Sequence, residues 1–285
     1  MRGVVVVSDS NAYLPRRLAE VNGVHVLQQY VLHADGRRQH EDEVDLDAFF
    51  EEMRSPEELP KTTHPTVDDF KASYGQLLDA GNDIVSIHSS SALSGTCEAA
   101  REAAAGLDAG GRVHVFDSQS MCGGLGLIVL AAARRAAAGE TADRVVACAE
   151  EARAELKLWF VIDTLEFLRR SGRIGAAGAW IGSTLRVKPI LTIEDGQMKP
   201  VERVRTSERA FERIVDYARQ RHASGADGWV VQHVRSAEEG ERLIASCREV
   251  FETDPVFVSE IGAVVGAHTG PGLIGLCALP AQLLT

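Results

Sequence analysis

The sequence predicts an α/β protein of two domains, with a mainly parallel sheet and flanking helices in the first and a mixed sheet with helices in the second. Short apolar runs alternate with amphipathic or alanine-rich stretches through the N-terminal half of the 285-residue chain, a pattern typical of repeated β-α units. In the C-terminal half, an Asp-Gly pair between two strand-like runs indicates a hairpin and therefore antiparallel pairing. The predicted domains are residues 1–156 and 157–285.

Apolar runs and capping patterns define the elements of the N-terminal half. Residues 3–7 are glycine and four valines, which predicts a buried strand. Residues 24–32 are expected to form one further strand. A capping-box pattern at Thr66 begins a helix whose apolar side chains share one face. The other predicted elements are helices at 45–53, 94–105, 125–138 and 141–156, and strands at 84–87 and 113–116.

The C-terminal half is expected to begin with a strand at 159–162 and a helix at 164–170. A Gly/Ala-rich helical stretch at 176–185 and the hairpin strands at 190–193 and 198–204 follow. The remaining predictions are helices at 207–222 and 237–250, a strand at 229–233, and three short strands near Val256, Val264 and Ile274. The strand near Val264 is expected to end at His268.

Charge and composition exclude several classes of protein. The 30 basic and 41 acidic residues give a net charge of −11, which argues against nucleic acid as a partner. The longest apolar run, residues 121–133, is too short to cross a bilayer, so stable membrane insertion is not expected. Five widely spaced cysteines without a C-x-x-C pair predict a cytoplasmic protein with no disulfide frame and no structural zinc site. Because the phosphate-loop, dinucleotide and metalloprotease motifs are absent, no cofactor or metal is expected.

Two hydroxyl-rich stretches in the N-terminal half are candidates for a binding site. Residues 87–96 lead from a buried strand through a serine-rich loop into a helix predicted to start near Ser94, where free N–H groups attract an anion. Residues 61–66 place Thr62 and Thr63 before a proline, in a rigid loop that can hold hydroxyls toward a ligand. An ordinary helix cap and an ordinary capped loop are the alternative interpretations.

Two further stretches lie in the C-terminal half. His268 ends a small-residue run and precedes a Gly-Pro-Gly turn, where it can bind an anion or serve a purely structural role. Residues 167–193 contain no acidic residue, which indicates a docking site for an acidic partner or phosphate, with solvated helix faces as the alternative. The basic residues of this island are Arg169, Arg170, Arg173, Arg186 and Lys188.

Taken together, these stretches resemble the DegV family, which includes the fatty-acid-binding subunits of bacterial fatty acid kinase. The matches run in order along nearly the whole chain. They are S-D-S-N-A-Y-L-P at 8–15, T-T-H-P-T at 62–66, S-S-A-L-S-G-T at 90–96, F-D-S at 116–118, L-E-F-L-R-R-S-G-R-I at 165–174, K-P-I-L at 188–191, V-R-T at 204–206 and A-H-T-G-P-G at 267–272.

The resemblance implies a single unit spanning about residues 3–283 that holds one long-chain, palmitate-like fatty acid between its two domains. Its motifs imply that Thr62 and Ser94 hold the carboxylate and that His268 belongs to the same polar cluster. The residues implied to support these loops are Thr63, Ser91, Gly95 and Thr96. Two positions depart from the family pattern, because His64 replaces a glutamine and Ala92 replaces a glycine.

The resemblance also implies a carrier without catalysis of its own that presents the acid to a separate fatty acid kinase in lipid metabolism. Arg173 and Arg205 are the positions expected to contact the kinase or the transferred phosphoryl group. Periodicity does not single out the tunnel lining. The candidates for it are Leu165, Phe167, Leu168, Trp180, Ile181 and Leu185.

Two other functions remain open from the residues themselves. A serine-dependent acyl hydrolase would use Ser94 as nucleophile, His268 as base and Asp9 or Asp117 to orient the imidazole. A small phosphorylated metabolite could bind at the same helix N-terminus.

Overall fold

The computed structural model describes residues 2–33, 35–54, 60–107, 109–180 and 187–285. Within these ranges the strands are β1 (Val4–Asp9), β2 (His25–Leu27), β3 (Tyr30–Leu32), β4 (Arg38–His40), β5 (Lys61–Thr63), β6 (Asp83–His88), β7 (Val113–Asp117), β8 (Lys157–Val161), β9 (Lys188–Glu194), β10 (Gln197–Val204), β11 (Gly228–Val234), β12 (Phe257–Glu260) and β13 (Leu273–Leu279). The α-helices are α1 (Arg16–Val21), α2 (Leu46–Glu52), α3 (Val67–Asp79), α4 (Thr96–Ala105), α5 (Cys122–Ala137), α6 (Ala142–Glu155), α7 (Glu166–Arg170), α8 (Ser207–Ala223), α9 (Ala237–Phe251) and α10 (Ala263–Thr269).

The strands form three sheets. A parallel four-stranded sheet has the order β2-β1-β6-β7, and a small antiparallel sheet has the order β4-β3-β5. The third sheet has the order β10-β9-β8-β13-β11-β12, in which β11 and β12 are parallel and the other pairs antiparallel. A parallel sheet before residue 157 and a mixed one after it confirm the predicted fold class.

Helix α5 lies between the two large sheets and packs on both. It contacts β1 and β6 of the parallel sheet and β11 and β13 of the mixed sheet. Every residue from 123 to 133 is buried, because an all-round apolar helix must be covered on every side. The apolar run at residues 121–133 therefore lies at the centre of the core, where both large sheets pack against it. Among the described residues, no helix has the length and apolar character needed to cross a membrane.

The predicted hairpin is confirmed, and its turn contacts the serine-rich loop of the N-terminal half. Asp195 and Gly196 both have positive φ, of 52° and 74°, which suits the two-residue turn between β9 and β10. The Gly196 carbonyl accepts a hydrogen bond of 2.7 Å from Ser90 Oγ. A Cβ at position 196 would lie 2.7 Å from Ser90 Oγ, so the close contact between the turn and the serine-rich loop requires glycine. The serine-rich loop thereby holds the hairpin tip.

Residues 24–32 do not form one strand, and that prediction was wrong. The chain breaks between β2, which pairs parallel with β1, and β3, which pairs antiparallel with β4 and β5. At the break, the backbone N–H of Gln29 donates to Ser10 Oγ at 3.0 Å, and its side chain turns inward to Asp9. These non-local polar contacts replace the ladder bonds that a continuous strand would make.

The predicted strand near Val264 was also wrong, because residues 263–269 form helix α10. The buried carboxylate of Glu41 accepts from Val264 N at 2.8 Å, and Tyr13 Oη accepts from Val265 N at 3.1 Å. Tyr13 in turn donates to Glu41 at 2.7 Å. These side chains, more than 200 residues away in sequence, provide the acceptors that the first turn of a helix lacks. His268 therefore lies in the last turn of a helix rather than at a strand end.

The Gly/Ala-rich stretch predicted at 176–185 is only partly described. Residues Gly175–Trp180 form a 3-10 helix instead of an α-helix. Residues 181–186 lie outside the described part of the chain, so Ile181, Leu185 and Arg186 receive no structural assignment.

Candidate functional site

A narrow cavity lies between the two halves of the chain. Its wall is almost entirely apolar. The residues that line it come from the loops before α4 and α5, from the mixed sheet and its hairpin, and from α7 and α10. They are Leu93, Met121, Cys122, Leu158, Trp159, Phe160, Leu168, Arg173, Ile193, Met198, Gln232, Ile261, Val265, His268, Thr269, Leu273, Gly275 and Cys277.

The few polar groups in the deep wall are neutral or already paired. Burial raises the pKa of Cys277 to about 12 and that of Cys122 well above its usual range, so both thiols are uncharged at neutral pH. The amide of Gln232 accepts from Gly123 N through its oxygen and donates to Ser259 Oγ at 2.8 Å. The deep part of the cavity is therefore suited to a hydrocarbon chain.

His268 is one of the few polar residues that line the cavity. His268 Nε2 lies 2.9 Å from Thr62 Oγ1, which joins α10 to strand β5. Its Nδ1 is buried and has no hydrogen-bond partner among the described residues. Burial, with a smaller contribution from the positive charge of Arg173, lowers the pKa of His268 from 6.5 to about 4. At neutral pH the imidazole is therefore uncharged.

The serine-rich loop meets the Thr62 strand. His64 Nδ1 donates to the Pro65 carbonyl at 2.8 Å, which turns Nε2 toward Gly95. A Cβ at position 95 would lie 2.7 Å from that nitrogen, so the two segments approach this closely only because residue 95 is glycine. Helix α4 begins directly after it, at Thr96 rather than at Ser94. The structure thus brings both hydroxyl-rich stretches to one place.

The chain matches the model of the DegV family, described as "Uncharacterised protein, DegV family", over residues 3–281. A DegV domain-containing protein of Streptomyces coelicolor is 38% identical over 96% of this chain and 98% of its own. Protein DegV of Bacillus subtilis is 32% identical over 96% of this chain and 98% of its own. This chain belongs to the DegV family.

Solved DegV structures share the fold over nearly the whole chain. One is the structure of a DegV family protein from Thermus thermophilus, described as showing fatty acid binding. It matches with a TM-score of 0.87 and 32% identity, covering 98% of this chain and 99% of its own. DegV of Bacillus subtilis, a fatty acid binding protein, has a TM-score of 0.86 and 30% identity, covering 98% of this chain and all of its own. The motifs that suggested the DegV family therefore lie within a fold that this chain shares with solved DegV proteins.

Ser94 directly follows Leu93, a cavity-lining residue, in the serine-rich loop. Its Oγ lies 2.7 Å from Thr96 Oγ1 and accepts from Thr96 N at 3.3 Å. Ser91, one of the predicted supporting residues, is exposed and donates to Asp117. Ala92, a departure from the DegV motif, is also exposed, and its N–H donates to Ser90 Oγ. Neither this departure nor His64 removes a hydroxyl from the cluster.

The two arginines assigned to a partner differ in position. Arg173 lines the cavity near His268, and its guanidinium donates to the carbonyls of Ser171 and Leu93. Both of these acceptors are neutral, so no carboxylate among the described contacts of Arg173 offsets its charge. Arg205 is exposed just after β10 and is not among the cavity-lining residues described.

The basic island is weaker in the structure than in the sequence. Arg169 pairs with Glu166 at 2.6 Å, and Lys188 pairs with Asp163 at 2.6 Å. Both acids lie just outside the stretch 167–193. The net charge counted over residues 167–193 is therefore more positive than the local charge in the folded protein.

The residues of a serine hydrolase triad are not assembled. Ser94 is bonded to Thr96, while His268 is bonded to Thr62. Asp9 Oδ2 accepts from His88 Nδ1 at 2.9 Å, and Asp117 accepts from Ser91. Neither acid orients His268 among the described contacts, so the geometry does not support Ser94 as an activated nucleophile.

The candidates for the tunnel lining differ in their position relative to the cavity. Of those described, Leu168 lines the cavity, whereas Leu165, Phe167 and Trp180 pack against the core cluster. The other lining residues were missed because they come from separate strands and helices, and each carries only the ordinary pattern of a core position. No single periodic segment contains enough of them to reveal the cavity.

We expect His268 to titrate near pH 4 in the free protein. Its pKa is lower in the folded chain than the ordinary 6.5, so the unfolded chain binds the proton first. Stability should therefore be retained above about pH 6.5 and decrease as the pH falls toward 4. Histidine-ring NMR, assigned with His268→Gln, measures this pKa. A His268 resonance that titrates near 6.5 would contradict the described environment.

Proposed function

We propose that this protein binds one long-chain fatty acid, palmitate or a similar acid, between its two halves. The carboxylate lies at Thr62 and Ser94 with His268 beside it, and the acyl chain fills the apolar cavity. The observation that carries the proposal is the cavity itself, whose wall is almost wholly apolar and whose lining includes His268, bonded to Thr62. The fatty-acid binding reported for the DegV proteins of Thermus thermophilus and Bacillus subtilis supports it.

Burial of the tail supplies most of the affinity. At about 0.8 kcal/mol per CH₂, a tail of roughly fifteen carbons contributes on the order of 12 kcal/mol before the costs of ordering and association. Two hydroxyl groups contribute less and act mainly by fixing the orientation of the acid. This division fits a cavity whose wall is almost wholly apolar and contains few polar groups.

The neutral head-group site suits a carboxylate that will react further. Thr62, Ser94 and uncharged His268 can hold the anion without the bidentate guanidinium pairing that would neutralise it. We propose that the protein is a carrier in the cytoplasm, with no catalysis of its own and no cofactor. It presents the carboxylate to a separate fatty acid kinase for acyl phosphate formation, and Arg173 and Arg205 contact that kinase or the transferred phosphoryl group.

The direct test is the identity of the small molecule that accompanies the protein. Mass spectrometry of gently purified protein should reveal a bound fatty acid of about 14 to 18 carbons, a tail long enough for burial to outweigh the costs of binding. Ligand-free protein that also fails to bind palmitate in a titration would contradict the proposal. Displacement of the bound molecule by a phosphosugar, but not by palmitate, would instead indicate a phosphorylated metabolite as the ligand.

A further inference from the structure

The side-chain amide of Gln29 is held in one orientation between two oxygen atoms. Gln29 is buried, and its Nε2 lies 3.1 Å from Asp9 Oδ1 and 3.2 Å from Thr96 Oγ1. A carboxylate only accepts hydrogen bonds, so the NH₂ group of the amide must face Asp9. The second hydrogen of that group then points at Thr96, and Thr96 Oγ1 acts as its acceptor.

Thr96 transmits this orientation to Ser94. Thr96 is fully buried, and the only acceptor within reach of its hydroxyl among the described residues is Ser94 Oγ, at 2.7 Å. Ser94 Oγ also accepts from Thr96 N at 3.3 Å, so both of its acceptor positions are filled. The hydroxyl proton of Ser94 is left without an acceptor in the described part of the chain. It is free to be donated to a ligand.

Asp9 is the anchor of this series of hydrogen bonds. It is fully buried and accepts from His88 Nδ1 at 2.9 Å and from Ser89 Oγ at 2.9 Å, in addition to Gln29. Burial by itself would raise the pKa of Asp9, but the donors of His88 and Ser89 outweigh it and lower that pKa. Asp9 is therefore an anion at neutral pH, which is the state that fixes the Gln29 amide.

We infer that Asp9, acting through Gln29 and Thr96, orients the hydroxyl of Ser94 as a hydrogen-bond donor to the fatty-acid carboxylate. The inference rests on the proposed function, since it assigns a purpose to the free proton of Ser94. Asp9, Gln29 and Thr96 are positioning residues that do not touch the ligand themselves. A carboxylate only accepts hydrogen bonds, so it needs a hydroxyl that points its proton toward it. A serine hydroxyl that was free to point its lone pairs at the carboxylate instead would bind it less well.

A double-mutant cycle on Thr96 and Ser94 tests the inference with palmitate as the probe. Thr96→Val removes the hydroxyl but keeps the shape, and should weaken palmitate binding about 5- to 10-fold, the cost of one misdirected hydrogen bond. In the Ser94→Ala background the same substitution should change the affinity little, because no serine proton remains to be oriented. Thr96→Ser, which keeps a hydroxyl, should restore wild-type affinity.

A merely structural Thr96 would weaken binding equally with and without Ser94, and that result would overturn the inference. Full affinity in Thr96→Val would overturn it as well. If Thr96→Val does not fold, Gln29→Met provides the same cycle, since it removes the amide donor at similar size. Wild-type protein that does not bind palmitate would instead overturn the proposed function, so the two failures are distinguishable.

Discussion

Replacing Ile193 with tryptophan is expected to weaken palmitate binding by at least about 100-fold. Ile193 lies on strand β9 and lines the cavity, so an indole there occupies space that the acyl chain needs. Excluding only five methylenes removes about 4 kcal/mol of burial, which exceeds the change needed for a 100-fold loss. Fluorescence displacement with a fatty-acid probe measures the affinity.

The matched control is Val201→Trp. Val201 lies on strand β10 of the same hairpin, but its side chain faces solvent and is 37% exposed. The control adds the same bulk without entering the cavity, so it should bind palmitate like the wild type. Equal affinities for Ile193→Trp and the wild type, in folded protein, would show that the chain lies elsewhere.

Removing both head-group hydroxyls with Thr62→Val and Ser94→Ala is expected to weaken palmitate binding about 10- to 100-fold. Hydrogen bonds to a charged group contribute about 1.5–3 kcal/mol each, and the partly exposed mouth of the cavity lets water replace some of that loss. The same double substitution should weaken the binding of methyl palmitate, which has no carboxylate, much less. Calorimetric titration of both ligands measures the difference.

Two hydroxyls elsewhere provide the control for this double variant. Thr141→Val with Ser207→Ala removes the same two side-chain types from exposed positions outside the described cavity lining and should leave affinity unchanged. Unchanged palmitate affinity in the Thr62 and Ser94 variant would contradict the assignment of the head-group site. An equal loss for acid and ester would do the same, because it would indicate damage to the cavity rather than lost donors.

Local patterns in the sequence predicted the α/β class and most elements correctly, for physical reasons that are visible in the structure. The capping box at Thr66 is present, with Asp69 N donating to Thr66 Oγ1 at 3.1 Å and Thr66 N donating to Asp69 at 2.7 Å. The Asp195-Gly196 turn adopts the positive φ values that its residues favour. In both cases the interactions that define the element lie within a few residues of each other.

The errors arose where distant side chains decide the local structure. Helix α10 contains valines that favour a strand, but Glu41 and Tyr13 cap its first turn from the other half of the chain. The break between β2 and β3 depends on contacts of Gln29 with Ser10 and Asp9. Such contacts exist only after folding, and single-sequence periodicity contains no record of them.

The candidate site was predictable in its polar part and not in its apolar part. Thr62, Ser94 and His268 belong to short motifs that the DegV resemblance marks, and the structure brings Thr62 and His268 within 2.9 Å. The cavity wall, in contrast, consists of ordinary core residues such as Leu158 and Leu273. Their role depends on a gap between packed elements, which no pattern of residue types encodes.

The position of bound palmitate decides where the protein holds its ligand. A crystal structure of the complex should place one carboxylate oxygen about 3 Å from Thr62 Oγ1 or Ser94 Oγ, the ordinary length of a hydrogen bond, with the acyl chain in the apolar cavity beside the mixed sheet. His268 should lie beside the head group. An acyl chain lying on the outer surface, or a carboxylate bound away from His268 and Thr62, would contradict the proposed function.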